Sequence, residues 1–259
     1  RQFSAIYFER PNTFLGGAAH LSLFALNEED GPGIGETANN QLYTPSLLLY
    51  KKSKPGQWDF DIQSVLQLGT RRASSSPSAR KLDVFAHFHH AEVGYTFDVP
   101  YSPRIDLEFD YASGDSNPND GDYGRFNTLQ GARVREFGPS GLFGILAREN
   151  IIMPGIRIEF QKKNFVDGRI VYKPAWLAEK TDASPGDGSI QDPTGQSGSF
   201  LGHEIYARLR YWIVPKHVRW VVYGAAFING EFFDDPSAAS NATGNGNPIY
   251  GATDLEFIF

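Results

Sequence analysis

The chain has no cysteine and a single methionine among its 259 residues. Without cysteine there is no disulfide framework and no thiolate metal site. Long apolar runs are missing as well, since no stretch approaches the ~18 consecutive apolar residues of a membrane-spanning helix. Positive charge is not in excess. The 24 Lys and Arg residues stand against 30 Asp and Glu, for a net charge of −6, so no nucleic acid is expected as a partner. No Ser/His/Asp arrangement can be singled out, which leaves an enzyme without support.

The chain is instead rich in glycine (27 residues) and in aromatic side chains (14%), and it alternates. In Arg104–Tyr111, Ile105, Leu107, Phe109 and Tyr111 interleave with Arg104, Asp106, Glu108 and Asp110. A period of two places these sets on opposite faces of a strand. A soluble sheet turns the apolar set inward. A transmembrane barrel turns it to lipid and lines a wet lumen with the charges. The same alternation recurs at Trp58–Leu68, Ile156–Gln161, Arg169–Trp176, Glu204–Ile213 and Asp254–Phe259. Gln2–Glu9 and Ala18–Leu26 read as short strands, and Leu42–Lys51 and Val218–Phe233 as strands of unclear phase. Lys81–Asp98 reads as one long strand whose phase slips near His89–His90, which predicts a bulge.

Connections alternate short and long. KSKPGQ, VPYSP, Asn164–Gly168 and Pro215–His217 are tight, whereas Asn27–Gln41, Gly69–Arg80, Ser113–Asn150, Thr181–Ser199 and Asp234–Pro248 are longer and polar. That sorting is characteristic of outer-membrane barrels. The expected fold is all-β, an antiparallel transmembrane β-barrel with about eleven strands visible. Complete barrels have even strand numbers, and the chain starts at Arg1 without an initiator Met or a signal sequence. We therefore expect residues 1–259 to be one barrel domain, N-terminally incomplete; the alternative drops Gln2–Glu9 and leaves about ten strands. Trp58, Tyr95, Tyr101, Trp176, Tyr211, Trp212 and Trp220 lie near strand ends, where an aromatic girdle sits.

Five cations fall on the polar faces of the clean strands: Arg157, Arg169, Lys173, Arg208 and Arg210. Arginine's planar fork suits carboxylates and stays charged, so these side chains are candidates for the path of an anionic substrate, Arg208 and Arg210 first. Asp106, Glu108, Asp110, Glu159, Glu179 and Glu204 are available to neutralise them, and a balanced interior is the competing reading. Ser113–Asn150 is either a solvated cap or a segment folded into the lumen. Its apolar GLFGIL stretch favours contact with something, and Arg125, Arg133 and Arg135 would then add cations at a constriction.

Other signals are weak. His87 and His89 share a face, but no further ligand completes a metal site. In DSNPNDGD, Asp115, Asn117 and Asn119 stand at alternate positions as in a Ca²⁺ loop. Asp120 occupies the position that requires Gly and Phe126 the position of the bidentate Glu, so at most incidental Ca²⁺ and no other cofactor is expected. GPGIG (31–35) lacks the Lys of a phosphate loop and reads as a flexible loop.

FDYASGD (109–115), FNTLQGAR (126–133), EFGPSGLFG (136–144) and ARENIIMPG (147–155) resemble the alginate export family of outer-membrane proteins. The ARLRYW strand (207–212) and the terminal Phe259 fit the same family. The resemblance is specific over about residues 104–259 and weaker before them. It implies a monomeric barrel of about eighteen strands in the bacterial outer membrane, of which this chain is the C-terminal part. It also implies passive export of an anionic polysaccharide through a positively charged lumen, with outer-membrane lipid and periplasmic export components as partners. A general small-solute porin is one alternative, and a secreted soluble carbohydrate-binding β-domain is another.

Overall fold

In the computed structural model, residues 1–29, 37–129, 137–138, 145–186, 190–234 and 246–258 are described. GPGIG, Arg133, Arg135 and Phe259 lie outside them. A single antiparallel meander runs through β1 (Gln2–Arg10), β2 (Ala18–Asn27), β3 (Gln41–Lys51), β4 (Gln57–Arg72), β5 (Lys81–Thr96) and β6 (Arg104–Ala112). It continues through β8 (Ile151–Lys162), β9 (Val166–Trp176), β10 (Phe200–Val214), β11 (Val218–Asn229) and β12 (Ile249–Phe257). The short β7 (Asp122–Tyr123) pairs in parallel with β5 at Asp83 and Val84. Among the described residues, helix is limited to Phe137–Gly138, a 3₁₀ turn at Phe14–Gly16 and α1 (Glu231–Asp234), and no described helix is long and apolar enough to cross a membrane. The end strands β1 and β12 do not pair with each other among the described residues, so the sheet is open here. Tight turns (52–56, 97–103, 163–165, 215–217) cluster at one end of the sheet. The long connections, including 113–150 and 177–199, cluster at the other.

The two faces are inverted relative to a soluble sheet. Along β6, Arg104, Asp106, Glu108 and Asp110 are buried, while Leu107 is 64% exposed and Ile105 and Phe109 are exposed too. Ile170, at 59%, and Ile205 and Leu209 repeat this on β9 and β10. Apolar surface of this extent is unfavourable against water by ~25 cal/mol per Å², and a hydrocarbon solvent removes that penalty. A soluble β-domain would turn that apolar face inward, which this sheet does not do.

The described residues of the segment 113–150 lie on the charged face, called here the inner face. Phe126, Phe137 and Leu146 of this segment are buried in one cluster with Val84, Ala86 and Phe88 of β5, Met153 of β8, Leu201 of β10 and Phe227 of β11. Gln67 on β4 pins it on both sides, accepting from Asn127 N at 3.0 Å and donating to Asn127 O at 3.2 Å. Of the two readings of this segment, its described residues follow the infolded one.

Infolding divides the inner face into an apolar tier at the loop end and an ionic tier at the turn end, and this corrects the strand phases. No bulge interrupts β5, whose register with β4 runs unbroken from Gln57↔Thr96 to Arg72↔Lys81. Its inner set simply changes from Leu82, Val84, Ala86 and Phe88 to His90 and Glu92. The apparent slip is a change of polarity along one face. The unclear phases of β3 and β11 have the same origin, with Leu42, Val221 and Phe227 buried on the inner face. True irregularities fall in β10, at Trp212/Val214 and Phe200/Gly202. β4 continues through Arg72, into residues expected to be loop, and β11 stops at Asn229, where α1 replaces the expected end of the strand. Trp58, Tyr95, Tyr211 and Trp220 lie at the turn end of the outer face, Trp58 within 5.2 Å of Tyr95 and Tyr211 within 5.5 Å of Phe165. Trp212 is instead on the inner face, under Arg219.

Candidate functional site

The ionic tier has two walls. The first spans β4 to β9. Arg104 binds Asp59 (2.5 Å), Glu92 (2.6 Å) and Glu159 (3.3 Å) as well as its strand neighbour Asp106. Arg157 pairs with Glu108 and Glu92. Lys173, completely buried, lies between Glu108 and Asp110, the latter at 3.2 Å, and His90 reaches Asp110 at 2.7 Å. Each cation on this wall meets two or more carboxylates. Two strand-interior glycines make room for them: a Cβ at Gly94 would overlap the Arg104 guanidinium, and one at Gly155 would overlap the Lys173 stem. Glycine inside a strand often marks such a close approach. That signal, together with the position of Arg104 among the β6 carboxylates, was available to find Arg104, which was not among the expected lumen cations.

The second wall, on β9 and β10, has the same residue types in other proportions. Arg169 and Arg208 are directly cross-strand, and Arg208 and Arg210 lie two residues apart on one face. Asp167 accepts from Arg210 at 2.7 Å and from Arg208 at 3.4 Å. Arg169 makes no ion pair among the described residues; its guanidinium sits 5.1 Å from the centre of the Tyr206 ring. Arg208 and Arg210 thus share one carboxylate and Arg169 pairs with none among the described residues, although Glu159 lies cross-strand from Arg169 and the buried Glu204 shares this face of β10. The Tyr206 hydroxyl, Arg169 Nε and Arg208 Nε are buried without a hydrogen-bond partner among the described residues, and Tyr206 is only 2% exposed. The infolded segment reaches this wall, because a Cβ at Gly138 would come within 3.0 Å of the Tyr206 ring. The five expected cations are therefore all on the inner face, but in two environments: Arg157 and Lys173 pair with two or more carboxylates each, and Arg169, Arg208 and Arg210 with one or none among the described residues.

Arg125, expected at the mouth, is buried in a bridge between the two longest described loops. It donates to Asp182 (3.1 Å), to the carbonyls of Ala183 (2.6 Å) and Ser184 (2.7 Å), and to Glu149 (3.2 Å). Burial alone would lower its pKa, but Asp182 and Glu149 outweigh it and the pKa is raised. Asn150 completes the bridge through its bonds with Glu179 and Ala183. In the 115–122 loop, Asp115, Asn117 and Asp120 each accept a backbone N–H two residues on, forming successive Asx turns. Burial raises the Asp115 pKa, which disfavours the charged form a Ca²⁺ ligand needs. His87 and His89 face outward, 3.0 Å from each other, with His89 on Ser64 and His87 stacked on Tyr111.

A family model described as alginate export matches residues 14–245. No curated protein matches the chain.

Proposed function

The chain belongs to the alginate export family, and from that premise we propose that it is an outer-membrane channel passing an anionic, alginate-like polysaccharide or smaller anionic sugars by diffusion. The family is one of outer-membrane transport proteins and not of enzymes. The observation that carries the finer reading is the acid-poor wall of Arg169, Arg208 and Arg210 around Asp167. A carboxylate arriving there would meet guanidinium forks whose charge is largely uncompensated. It would also meet buried donors in Tyr206, Arg169 and Arg208 that lack partners. Passage requires that such contacts be several and individually weak, since one tight site would trap the polymer. The wall provides this as a row of separate, partly hydrated guanidiniums. Arg157 and Lys173 support it from behind, holding the adjacent strands through their ion pairs.

The apolar outer face is the lipid contact, and the monomer is the working unit. Residues 1–259 form part of one barrel, which further strands close beside β1 and β12. Periplasmic export components would approach the turn end, nearest the arginines. The test is single-channel recording in planar bilayers under a salt gradient. The wild-type protein should be anion-selective and blocked by short uronate oligosaccharides. A cation-selective channel, or one indifferent to those oligosaccharides, would favour the general porin instead.

A further inference from the structure

A second feature of the interior lies far from the arginines in strand order. Between the infolded segment and the inner face of β1 to β5 there is a cavity of about 310 Å³, at the small end of the ~300–1,000 Å³ of ligand pockets. Phe3 on β1 and Phe24 on β2 line it with near-parallel rings, 16° apart and 6.0 Å between centres. Ser46 and Gln63 provide polar groups on β3 and β4. Gln63 Nε2 donates to Ser46 Oγ at 3.0 Å, which leaves Gln63 Oε1 and the Ser46 hydroxyl hydrogen for another partner. At a further wall stands Arg148, its guanidinium 5.4 Å from the centre of the Phe88 ring.

We propose that this cavity is a stacking station for one hexuronate residue of the passing chain. The inference rests on the channel reading above and adds a second site to it. A pyranuronate has an apolar C–H face, a rim of hydroxyls and one carboxylate. C–H groups lie favourably on the electron-rich face of an aromatic ring, so Phe3 and Phe24 match the first. Ser46 and Gln63 match the second, and the carboxylate is the group the channel reading already assigns to the passing chain. A site for simple anions has no use for two phenyl rings, one exposed and one half-buried, and a purely apolar pocket has no use for an amide and a hydroxyl. Phe3 is 46% exposed, so its ring is reachable without moving the sheet.

The experiment is single-channel recording of the full-length protein with an alginate hexasaccharide as blocker. Phe3→Ala combined with Phe24→Ala should shorten the block at least fivefold while open-channel conductance and anion selectivity stay unchanged. Phe24→Trp, which enlarges the ring, should keep or lengthen it. Phe3→Ser alone should shorten it less, and serves as the variant least able to disturb folding. Unchanged block times in the double and the single variant, with Arg208→Ala plus Arg210→Ala still lowering selectivity, would overturn the stacking station and leave the channel reading standing. A wild-type channel that the hexasaccharide never blocks and that lacks anion preference would overturn both.

Discussion

The two walls of the ionic tier use the same residue types and differ in their acids. On β4 to β9, Arg104, Arg157 and Lys173 are interleaved with Asp59, Glu92, Asp106, Glu108, Asp110 and Glu159. On β9 and β10, Asp167 is the one ion-pair partner of Arg208 and Arg210 among the described residues and Arg169 has none, with the buried Glu204 further along the same face. Position along the barrel does not separate them, because both lie at the turn end of one face. Burial and partner count do. A buried cation between two carboxylates holds strands together, since removing either partner strands a charge. A half-buried cation that shares one carboxylate retains charge for a solute. Counting arginines on a polar strand face therefore does not locate a substrate path; counting the carboxylates within reach of each one does.

The largest effect that would break this comparison is Lys173→Met. It leaves the buried Glu108 with one partner fewer and Asp110 with only His90 among the described residues, and should cost about 3–5 kcal/mol of stability. The check is the urea midpoint of the refolded protein in lipid vesicles. A loss under about 1 kcal/mol would mean that this wall is as hydrated as the other. Gln67→Leu comes next. It deprives the Asn127 N–H and carbonyl of their partner, each worth about 1–3 kcal/mol when buried. The infolded segment should then loosen from β4, so the single-channel current should flicker more while the sheet keeps its unfolding midpoint to within the loop's own share. Current as steady as wild type would show that the apolar cluster alone holds the segment.

Arg208→Ala with Arg210→Ala is expected to do the reverse of Lys173→Met. Both side chains are partly exposed and their pairs with Asp167 are worth at most about 1 kcal/mol, so the fold should tolerate the change. The anion-to-cation permeability ratio should fall severalfold toward one. A severe loss of stability with selectivity retained would exchange the roles of the two walls.

Much of this was legible in the sequence, for a physical reason. Where the inner face is charged, as in Arg104–Asp110 or Glu204–Arg210, side-chain period and polarity coincide and the phase reads directly. Loop lengths were equally plain, because tight turns need Pro, Gly and Asn at fixed places. What sequence alone could not show is tertiary. The apolar inner residues Val84, Ala86 and Phe88 are buried only because a segment from beyond β6 folds back onto them, and that contact imitated a bulge. Nor could strand faces tell which carboxylate each arginine meets. Arg104 binds Asp59, distant in the chain, and Arg125 proved to brace one loop against another. Gly94 and Gly155 were the local trace of that packing, as residues with no other purpose in mid-strand.

The smallest expected effect makes the sharpest test. Asp167→Asn removes the only carboxylate paired with Arg208 or Arg210 among the described residues and keeps the side chain's size and hydrogen-bonding oxygen. Stability should change by no more than about 1 kcal/mol, since the lost pairs are partly exposed and the three guanidiniums then repel one another with nothing between them. The permeability ratio should move opposite to the double arginine variant, rising by up to about twofold, because one unit charge in a partly hydrated, salt-screened site counts for about 0.4 kcal/mol. If Asp167→Asn lowered anion preference instead, the carboxylate would be positioning Arg210 through its 2.7 Å bond and not neutralising it. The wall would then act by geometry, and acid count would be the wrong measure of it.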